Sequence, residues 1–312
     1  MMNKQEKLQL TEEMFRKVDD NFQQAEKINR PSVSYWKDVR RRLFENKLAM
    51  IGLVIMIVIT FFAIFGPLLT PYSYYEQSFT EKNLDPSGEH WFGTDQLGRD
   101  IFTRVWYGAR ISLTIGIMAA LIDFLIGVIY GGLSAISSHR TDNIMMRIAE
   151  ILYAIPYLLM VILLMVFLEP GLWTIILAMT ITGWIPMARL VRGQVLQLKE
   201  QEYVQASTAL GAKTGWVLKK HLLPNTMGPI LVNVTLTVPT AIFAEATLSF
   251  LGLGVQAPQA SWGTMANDAL DSILVGNFYQ LFFPAILISL TMFAFNIFGD
   301  GLRDALDPRL RK

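Results

Sequence analysis

Long apolar runs separated by polar segments are the dominant pattern along the chain. Because a helix needs about 20 apolar residues to cross the hydrocarbon core of a bilayer, this pattern predicts an all-α, polytopic membrane protein with six spanning helices. The predicted spans are residues 48–69, 111–136, 151–168, 172–188, 230–250 and 278–299. Proline lies inside four of these runs, at positions 156, 186, 239 and 284. We therefore expect kinks, which a packed bundle tolerates because neighbouring helices satisfy the freed carbonyls.

The composition agrees with the membrane prediction. Hydrophobic residues make up 52% of the 312 residues and charged residues 17%, whereas a soluble domain carries about a quarter charged residues. The net charge of +1 gives no indication of a nucleic-acid partner. The chain has no cysteine, which excludes disulfides, zinc–thiolate sites and thiol catalysis. The first apolar run follows 47 polar residues without a cleavage pattern after it, so it predicts a retained helix rather than a secretory signal.

The distribution of Lys and Arg predicts the orientation in the cytoplasmic membrane. With both termini in the cytoplasm, 23 of the 27 basic residues fall on the cytoplasmic side, as the positive-inside rule requires. The expected organisation begins with a cytoplasmic arm (residues 1–34), a segment with the first span (35–70) and an extracytoplasmic loop (71–110). A core with five spans follows (111–300), which includes a cytoplasmic loop (189–227), and a cytoplasmic tail (301–312) ends the chain.

The cytoplasmic loop contains a pattern typical of a helix–turn–helix. An acidic residue begins a short helix with small side chains, a glycine ends or bends it, and a second helix over residues 216–221 is expected to stop at a proline. The residues that carry this pattern are Glu202, Ala206, Ser207, Gly211, His221 and Pro224. Such a unit suits docking in a partner's groove, and an ordinary pair of surface helices fits the pattern equally well.

The extracytoplasmic loop contains a second dense group of polar residues and glycines. Thr94-Asp95 and Arg99-Asp100 bracket Gly98, which predicts a turn held by carboxylate–arginine hydrogen bonds. Two roles remain open, namely a self-contained structural turn that caps the second span and a direct contact with an external partner. We favour the structural role.

Both segments resemble one family. The helix–turn–helix is similar to the coupling motif of importer-type ABC permeases, with Glu-Ala-Ala, a later glycine and a closing Leu-Pro, although Ser207 stands where the second Ala is usual. The stretch from His90 to Asp100 resembles the external signature of C-type oligopeptide and dipeptide permeases, including Gly93, Asp95, Gly98 and Arg99. Residues 251–254, 261–263 and 299–308 also match that subfamily. The resemblance covers about residues 35–312.

The resemblance implies a type I ABC importer permease that moves oligopeptides or dipeptides by alternating access. Its implied partners are a second homologous permease subunit in a heterodimer, two cytosolic ATPases, an extracytoplasmic peptide-binding protein and the peptide. ATP and Mg would be bound by the ATPases, because the nearest string in this chain, residues 211–214, lacks the spacing of a phosphate-binding loop. The chain is therefore expected not to be an enzyme and to hold no cofactor or metal.

Other transport classes remain alternatives to this one. A sister system could carry nickel or another small solute. A secondary transporter would use ionisable groups within its spans, and the candidates are Asp123 and Glu245. We favour a structural role for Asp123 and expect Glu245 near the outer end of its helix, where burial is shallow. The three histidines, at positions 90, 139 and 221, lie in separate segments and form no catalytic motif.

Overall fold

A computed structural model describes residues 35–307, and its regular secondary structure over that range is helical apart from one isolated antiparallel bridge between Thr94 and Asp100. The predicted arm (1–34) and the end of the predicted tail (308–312) lie outside the described residues. The helices are α1 (Tyr35–Glu45), α2 (Lys47–Phe65), α3 (Ile101–Ile136), α4 (His139–Tyr153), α5 (Tyr157–Phe167), α6 (Leu172–Lys199), α7 (Glu202–Ala209), α8 (Thr214–Val217), α9 (Leu223–Phe250), α10 (Trp262–Asp268), α11 (Leu270–Leu274) and α12 (Tyr279–Leu306). A 3₁₀ turn (Gly66–Leu68) follows α2, and a π turn (Leu218–Leu222) joins α8 to α9.

Within residues 35–307, five helical segments are long and apolar enough to cross a membrane. They are Lys47–Leu68, Ile101–Ile136, Leu172–Lys199, Thr214–Phe250 and Tyr279–Leu306, and the count rises to six if the pair α4 and α5 forms one bent span. The prediction of an all-helical polytopic protein is confirmed, whereas several predicted span limits are wrong.

The second span begins at Ile101 rather than at position 111, so the last ten residues of the predicted loop are helical. Asp100 caps the helix by accepting a hydrogen bond from the backbone N–H of Thr103 at 2.8 Å, which satisfies a free donor of the first turn. Val105 and Ala109 in this first stretch are fully buried. The polar residues Arg104 and Arg110 concealed the helix in a hydropathy pattern.

The third predicted span, residues 151–168, is not one helix. Its residues belong to α4 and α5, which meet at an angle of 78°. Pro156 explains the break, because the proline ring disfavours helical geometry at the preceding residue, here Ile155. The prolines at 186, 239 and 284 instead lie inside continuous helices.

The fourth predicted span is too short, because α6 continues past position 188 to Lys199. The fifth begins earlier than predicted, because α9 starts at Leu223 and continues the helical path that begins at Thr214. Both helices therefore extend into the predicted cytoplasmic loop, where polar residues end the apolar run without ending the helix.

Small residues allow the helices to cross closely. A β-carbon added at Gly131 of α3 would collide with the backbone of Ala188 on α6, and one at Gly127 would lie 2.5 Å from the side chain of Met187. On the other side of the bundle, Gly52 of α2 faces the backbone of α12 in the same way. This is the packing expected of membrane helices, whose association depends on close contact between small residues.

Candidate functional sites

The predicted helix–turn–helix exists, and we call residues 202–224 the 202–224 segment. Glu202 lies in the first turn of α7, where its negative charge interacts favourably with the positive end of the helix dipole. Gly211 has φ of +88°, so it turns the chain in the left-handed conformation that glycine adopts at little cost. A β-carbon at Gly211 would meet no atom within 4 Å. The turn therefore projects into open space, and its prediction is confirmed.

Buried valine and leucine side chains fix the base of the 202–224 segment. Val204 and Val217 are each 4% exposed and Leu222 is 1% exposed. They share one apolar cluster with Val191 and Val195 of α6. The segment is thus attached to the part of α6 that extends beyond its predicted span.

The outer face of the 202–224 segment carries exposed apolar residues. Leu210 is 90% exposed and Trp216 is 52% exposed. Together with Ser207, Gly211, Ala212 and Lys213 they line an open concavity of about 500 Å³. Ala206 is also exposed. An apolar concavity with small residues at its edge is suited to receive a complementary surface of another protein.

His221 lies beside Trp216, which lines this concavity. Its ring is 5.1 Å from the ring of Trp216 and 6.2 Å from that of Tyr203, both in edge-on orientation. The side chain of Asn225 donates a hydrogen bond of 2.6 Å to the backbone carbonyl of His221. The predicted helix stop at Pro224 is wrong, because Pro224 lies in the first turn of α9, where the missing N–H of proline is tolerated.

The loop between α2 and α3 contains the predicted turn. Asp95 accepts hydrogen bonds from the backbone N–H groups of Leu97 (2.9 Å) and Arg99 (3.0 Å) and from Nε of Arg99 (2.6 Å). Gly93 and Gly98 have φ of +76° and +70°, and a β-carbon at either would collide with a backbone carbonyl. The prediction of a turn held by a carboxylate and an arginine is confirmed.

The turn is not self-contained, which corrects one part of the structural alternative. Nη2 of Arg99 lies 3.1 Å from a carboxylate oxygen of Asp268, at the end of α10. Gln280 of α12 donates hydrogen bonds to Asn83 (2.8 Å) and to the carbonyl of Thr94 (3.1 Å). The turn therefore joins the loop to elements more than 150 residues later in the chain.

The signature side chains lie inside the protein. Asp95, Arg99 and Asp100 are 9%, 8% and 3% exposed. Oδ1 of Asp100 also accepts a hydrogen bond from Nδ1 of the buried His90, and the two atoms are 2.9 Å apart. Groups buried to this degree hold the loop together and offer little surface to a partner protein.

Glu245 lies five residues before the end of α9, near the helix end as expected, but it is completely buried, so the expectation of shallow burial is wrong. Hydroxyl groups of Ser112 (3.0 Å), Ser249 (2.7 Å) and Ser261 (2.6 Å) donate hydrogen bonds to its carboxyl group. Ser261 also caps α10. The sequence gives no local signal for this cluster, because Ser112 and Ser261 come from different parts of the chain.

Asp123 of α3 lies beside a cavity of about 410 Å³ between α3, α6 and α9. Its side chain is 6% exposed, and Oδ1 has no hydrogen-bond partner among residues 35–307. The lining also contains Tyr157, Thr182 and Asn233. No cluster of three or more potential metal ligands occurs within the described part of the chain.

Comparison with known proteins identifies the family. Residues 113–312 match the binding-protein-dependent transport system inner membrane component, and residues 34–86 match the N-terminal TM domain of oligopeptide transport permease C. The dipeptide transport system permease protein DppC of Bacillus subtilis (strain 168) is 62% identical over 304 residues, which cover 97% of this chain and 95% of the relative. The oligopeptide transport system permease protein OppC of the same organism is 61% identical over 299 residues, which cover 96% and 98%.

A more distant relative and a solved structure agree with this family assignment. The oligopeptide transport system permease protein OppC of Escherichia coli (strain K12) is 40% identical over 294 residues, or 94% of this chain and 96% of the relative. A chain of the MetNI methionine ABC transporter in an inward-facing conformation has the same fold, with a TM-score of 0.55 and 20% identity over 65% of this chain and 96% of that chain. The chain therefore belongs to the family of binding-protein-dependent transport system inner membrane components, as a C-type permease of oligopeptide and dipeptide ABC importers.

Proposed function

We propose that this permease couples ATP hydrolysis to peptide import through the 202–224 segment. The permease is a multi-pass membrane subunit of a peptide ABC importer, and its family is a non-catalytic component. Energy must therefore reach it from ATPase subunits. The observation that carries the proposal is the exposed apolar concavity around Gly211, formed by Leu210 and Trp216.

The coupling mechanism follows from the two ends of the segment. Its outer face would dock in a groove of a cytosolic ATPase, with Glu202, Ala206 and Ser207 along the contact. Its base is packed against α6 through Val204 and Val217. When two ATPases close on ATP, the segment moves with its ATPase, and the rigid base transmits that motion to α6 and α9.

The remaining partners follow from the same assembly. A second homologous permease completes the translocation path, and an extracytoplasmic binding protein delivers the peptide. We place both termini and residues 189–227 in the cytoplasm and residues 71–100 outside, on the distribution of basic residues. The buried turn around Asp95 and Arg99 then holds the outer loop in shape, and the binding protein docks on nearby exposed surface.

Uptake in a deletion strain tests the function directly. A strain that lacks its C-type peptide permeases is complemented with this gene and its neighbouring transporter genes, and the uptake of dialanine, pentaalanine and nickel is measured. ATP-dependent uptake of a peptide is expected, and the ratio between the two peptides gives the length range. Uptake of nickel without either peptide would overturn the proposal.

A further inference from the structure

Asp123 combines burial within the membrane with an unsatisfied oxygen. It lies in α3, about 20 Å along the helix axis from the last residue, Ile136, at 1.5 Å per residue. This places it well inside a hydrocarbon core of about 30 Å. Its Oδ1 is buried without a hydrogen-bond partner among the described residues. Buried carboxyl groups are normally paired or hydrogen-bonded, so this oxygen is available to accept a hydrogen bond from a ligand.

The neighbouring helix leaves space for this carboxyl group. Gly183 of α6 faces it, and a β-carbon at Gly183 would lie 2.6 Å from Oδ2 of Asp123. Any larger residue at this position would displace the carboxyl group. The close approach shows that a particular position of the Asp123 side chain is built into the crossing of α3 and α6.

The cavity beside Asp123 has the size and lining of a small-ligand site. Its volume of about 410 Å³ falls in the range of 300–1,000 Å³ common for such sites. Among residues 35–307, its lining contains no lysine or arginine. Tyr157 also lines it, and the phenolic oxygen of Tyr157 is buried without a partner. One acidic group and several neutral polar groups therefore converge on an apolar space.

We propose that this cavity binds the N-terminal ammonium group of the transported peptide, with Asp123 as its counter-ion. The proposal rests on the peptide-import function above and names a subsite for it. Every unmodified peptide has an α-ammonium group whatever its sequence, so one carboxylate can serve many substrates. The peptide backbone has donors and acceptors for Tyr157 and Asn233, and its small side chains fit against Met179 and Ala241.

Arg189 is a cation of the protein itself close to the cavity lining. Its guanidinium carbon lies 5.0 Å from the ring centre of Tyr153, which also lines the cavity. No ion pair between Arg189 and Asp123 is present among the described residues. The ammonium group of a ligand is therefore the partner that the geometry favours.

The first test compares Asp123→Asn with the wild type in the reconstituted complex of permeases, ATPases and binding protein. We expect normal assembly and resting ATPase activity, with dialanine uptake lowered about tenfold or more, which is typical of losing a close charge pair. Asp123→Glu should retain part of the uptake. The matched control is Asp271→Asn, an exposed site outside the cavity. Wild-type uptake in Asp123→Asn, or loss of the second permease from the complex, would overturn the subsite.

A second variant pair tests the geometry. Gly183→Ala pushes against the carboxyl group and should lower uptake, whereas Gly193→Ala on the same helix meets no atom within 4 Å and should not. Equal uptake in the two variants would contradict the proposed role of the Asp123 position.

Thiol protection measures binding without transport. Thr240 lines the cavity and is exposed, and Thr247 lies two turns later on α9 outside it. In the cysteine-free chain, dialanine should slow the alkylation of Thr240→Cys but not of Thr247→Cys, and N-acetyl-dialanine should slow neither. Protection should disappear when Asp123→Asn is added. Equal protection by the two peptides, or none by either, would overturn the subsite. Failure of the wild-type complex to import any peptide would instead contradict the proposed function.

Discussion

Ser261 donates a hydrogen bond of 2.6 Å to the carboxyl group of Glu245, and the same hydroxyl group accepts the backbone N–H of Thr264 at 3.1 Å. One side chain therefore caps α10 and attaches it to α9. Ser112 of α3 donates to the same carboxyl group, and the backbone N–H of Trp262 donates to Ser112 at 3.2 Å. The helices α3, α9 and α10 therefore meet at this buried carboxyl group.

Replacement of Glu245 should destabilise the permease. Glu245→Ala leaves three buried hydroxyl groups without their acceptor and opens a cavity, which we expect to cost about 2–4 kcal/mol. Glu245→Gln keeps an acceptor oxygen and the side-chain volume, so its cost should be smaller. Thermal aggregation of the detergent-purified protein would measure both. The control is Glu76→Ala, at an exposed loop position. Equal midpoint temperatures of aggregation for Glu245→Ala and Glu76→Ala would contradict a structural role for the serine cluster around Glu245.

The turn around Arg99 gives a second prediction. Its guanidinium group bridges Asp95 at 2.6 Å and the half-exposed Asp268 at 3.1 Å. Arg104 also lies 3.5 Å from each of these carboxylates, so Arg99→Ala leaves them with one basic partner instead of two. Because Arg104 remains, we expect a loss of about 1–3 kcal/mol and less folded permease in the membrane. The amount of permease on immunoblots and the rate of peptide uptake should fall together. Lys82→Ala removes an exposed positive charge from the same loop and serves as the control. Normal assembly of Arg99→Ala with weaker binding-protein affinity would instead indicate a contact role.

The orientation can be measured because the chain contains no cysteine. Single cysteines at Gln77 and Lys213 occupy exposed positions in the two loops assigned to opposite sides. An impermeant maleimide applied to intact cells should label Gln77→Cys and spare Lys213→Cys, and permeabilised cells should show labelling of both. The reverse pattern in intact cells would contradict the positive-inside assignment.

Local sequence was sufficient where the structure depends on local interactions. The turn at Gly211 follows from a glycine between two short helical patterns, and the contact of Asp95 with Arg99 joins residues four positions apart. Pro156 and Pro186 show the limit of such patterns. Both lie in apolar runs, but only Pro156 separates two helices, because the packing of α6 against α3 supports the helix through Pro186.

Long-range partners explain what the sequence did not predict. A carboxyl group near the end of an apolar run, as at Glu245, suggests exposure, and its burial depends on Ser112, 133 positions earlier in the chain. In the same way, the bridge from Arg99 to Asp268 spans 169 positions. Hydropathy and spacing describe one element at a time, so they cannot identify such contacts.

Coupling is tested most directly at Gly211. A tryptophan there forces a left-handed conformation on a residue with a β-carbon, at a cost of about 1 kcal/mol, and places a large ring in the concavity beside Leu210. Gly276→Trp is the matched control, because Gly276 also has a positive φ, of +94°, and no atom within 4 Å of an added β-carbon. Both variants should insert normally and show similar loss of stability.

Only Gly211→Trp should separate the ATPases from the permease, because only this glycine lies on the proposed docking surface. The measurement is co-purification of the two ATPases with each tagged variant, together with peptide uptake by the same cells. We expect a fall of about tenfold or more in both for Gly211→Trp, since large side chains at the centre of an interface typically cost at least 1.4 kcal/mol of binding. Gly276→Trp should keep its ATPases. Full ATPase recovery and full uptake in Gly211→Trp would show that coupling occurs elsewhere on the cytoplasmic surface.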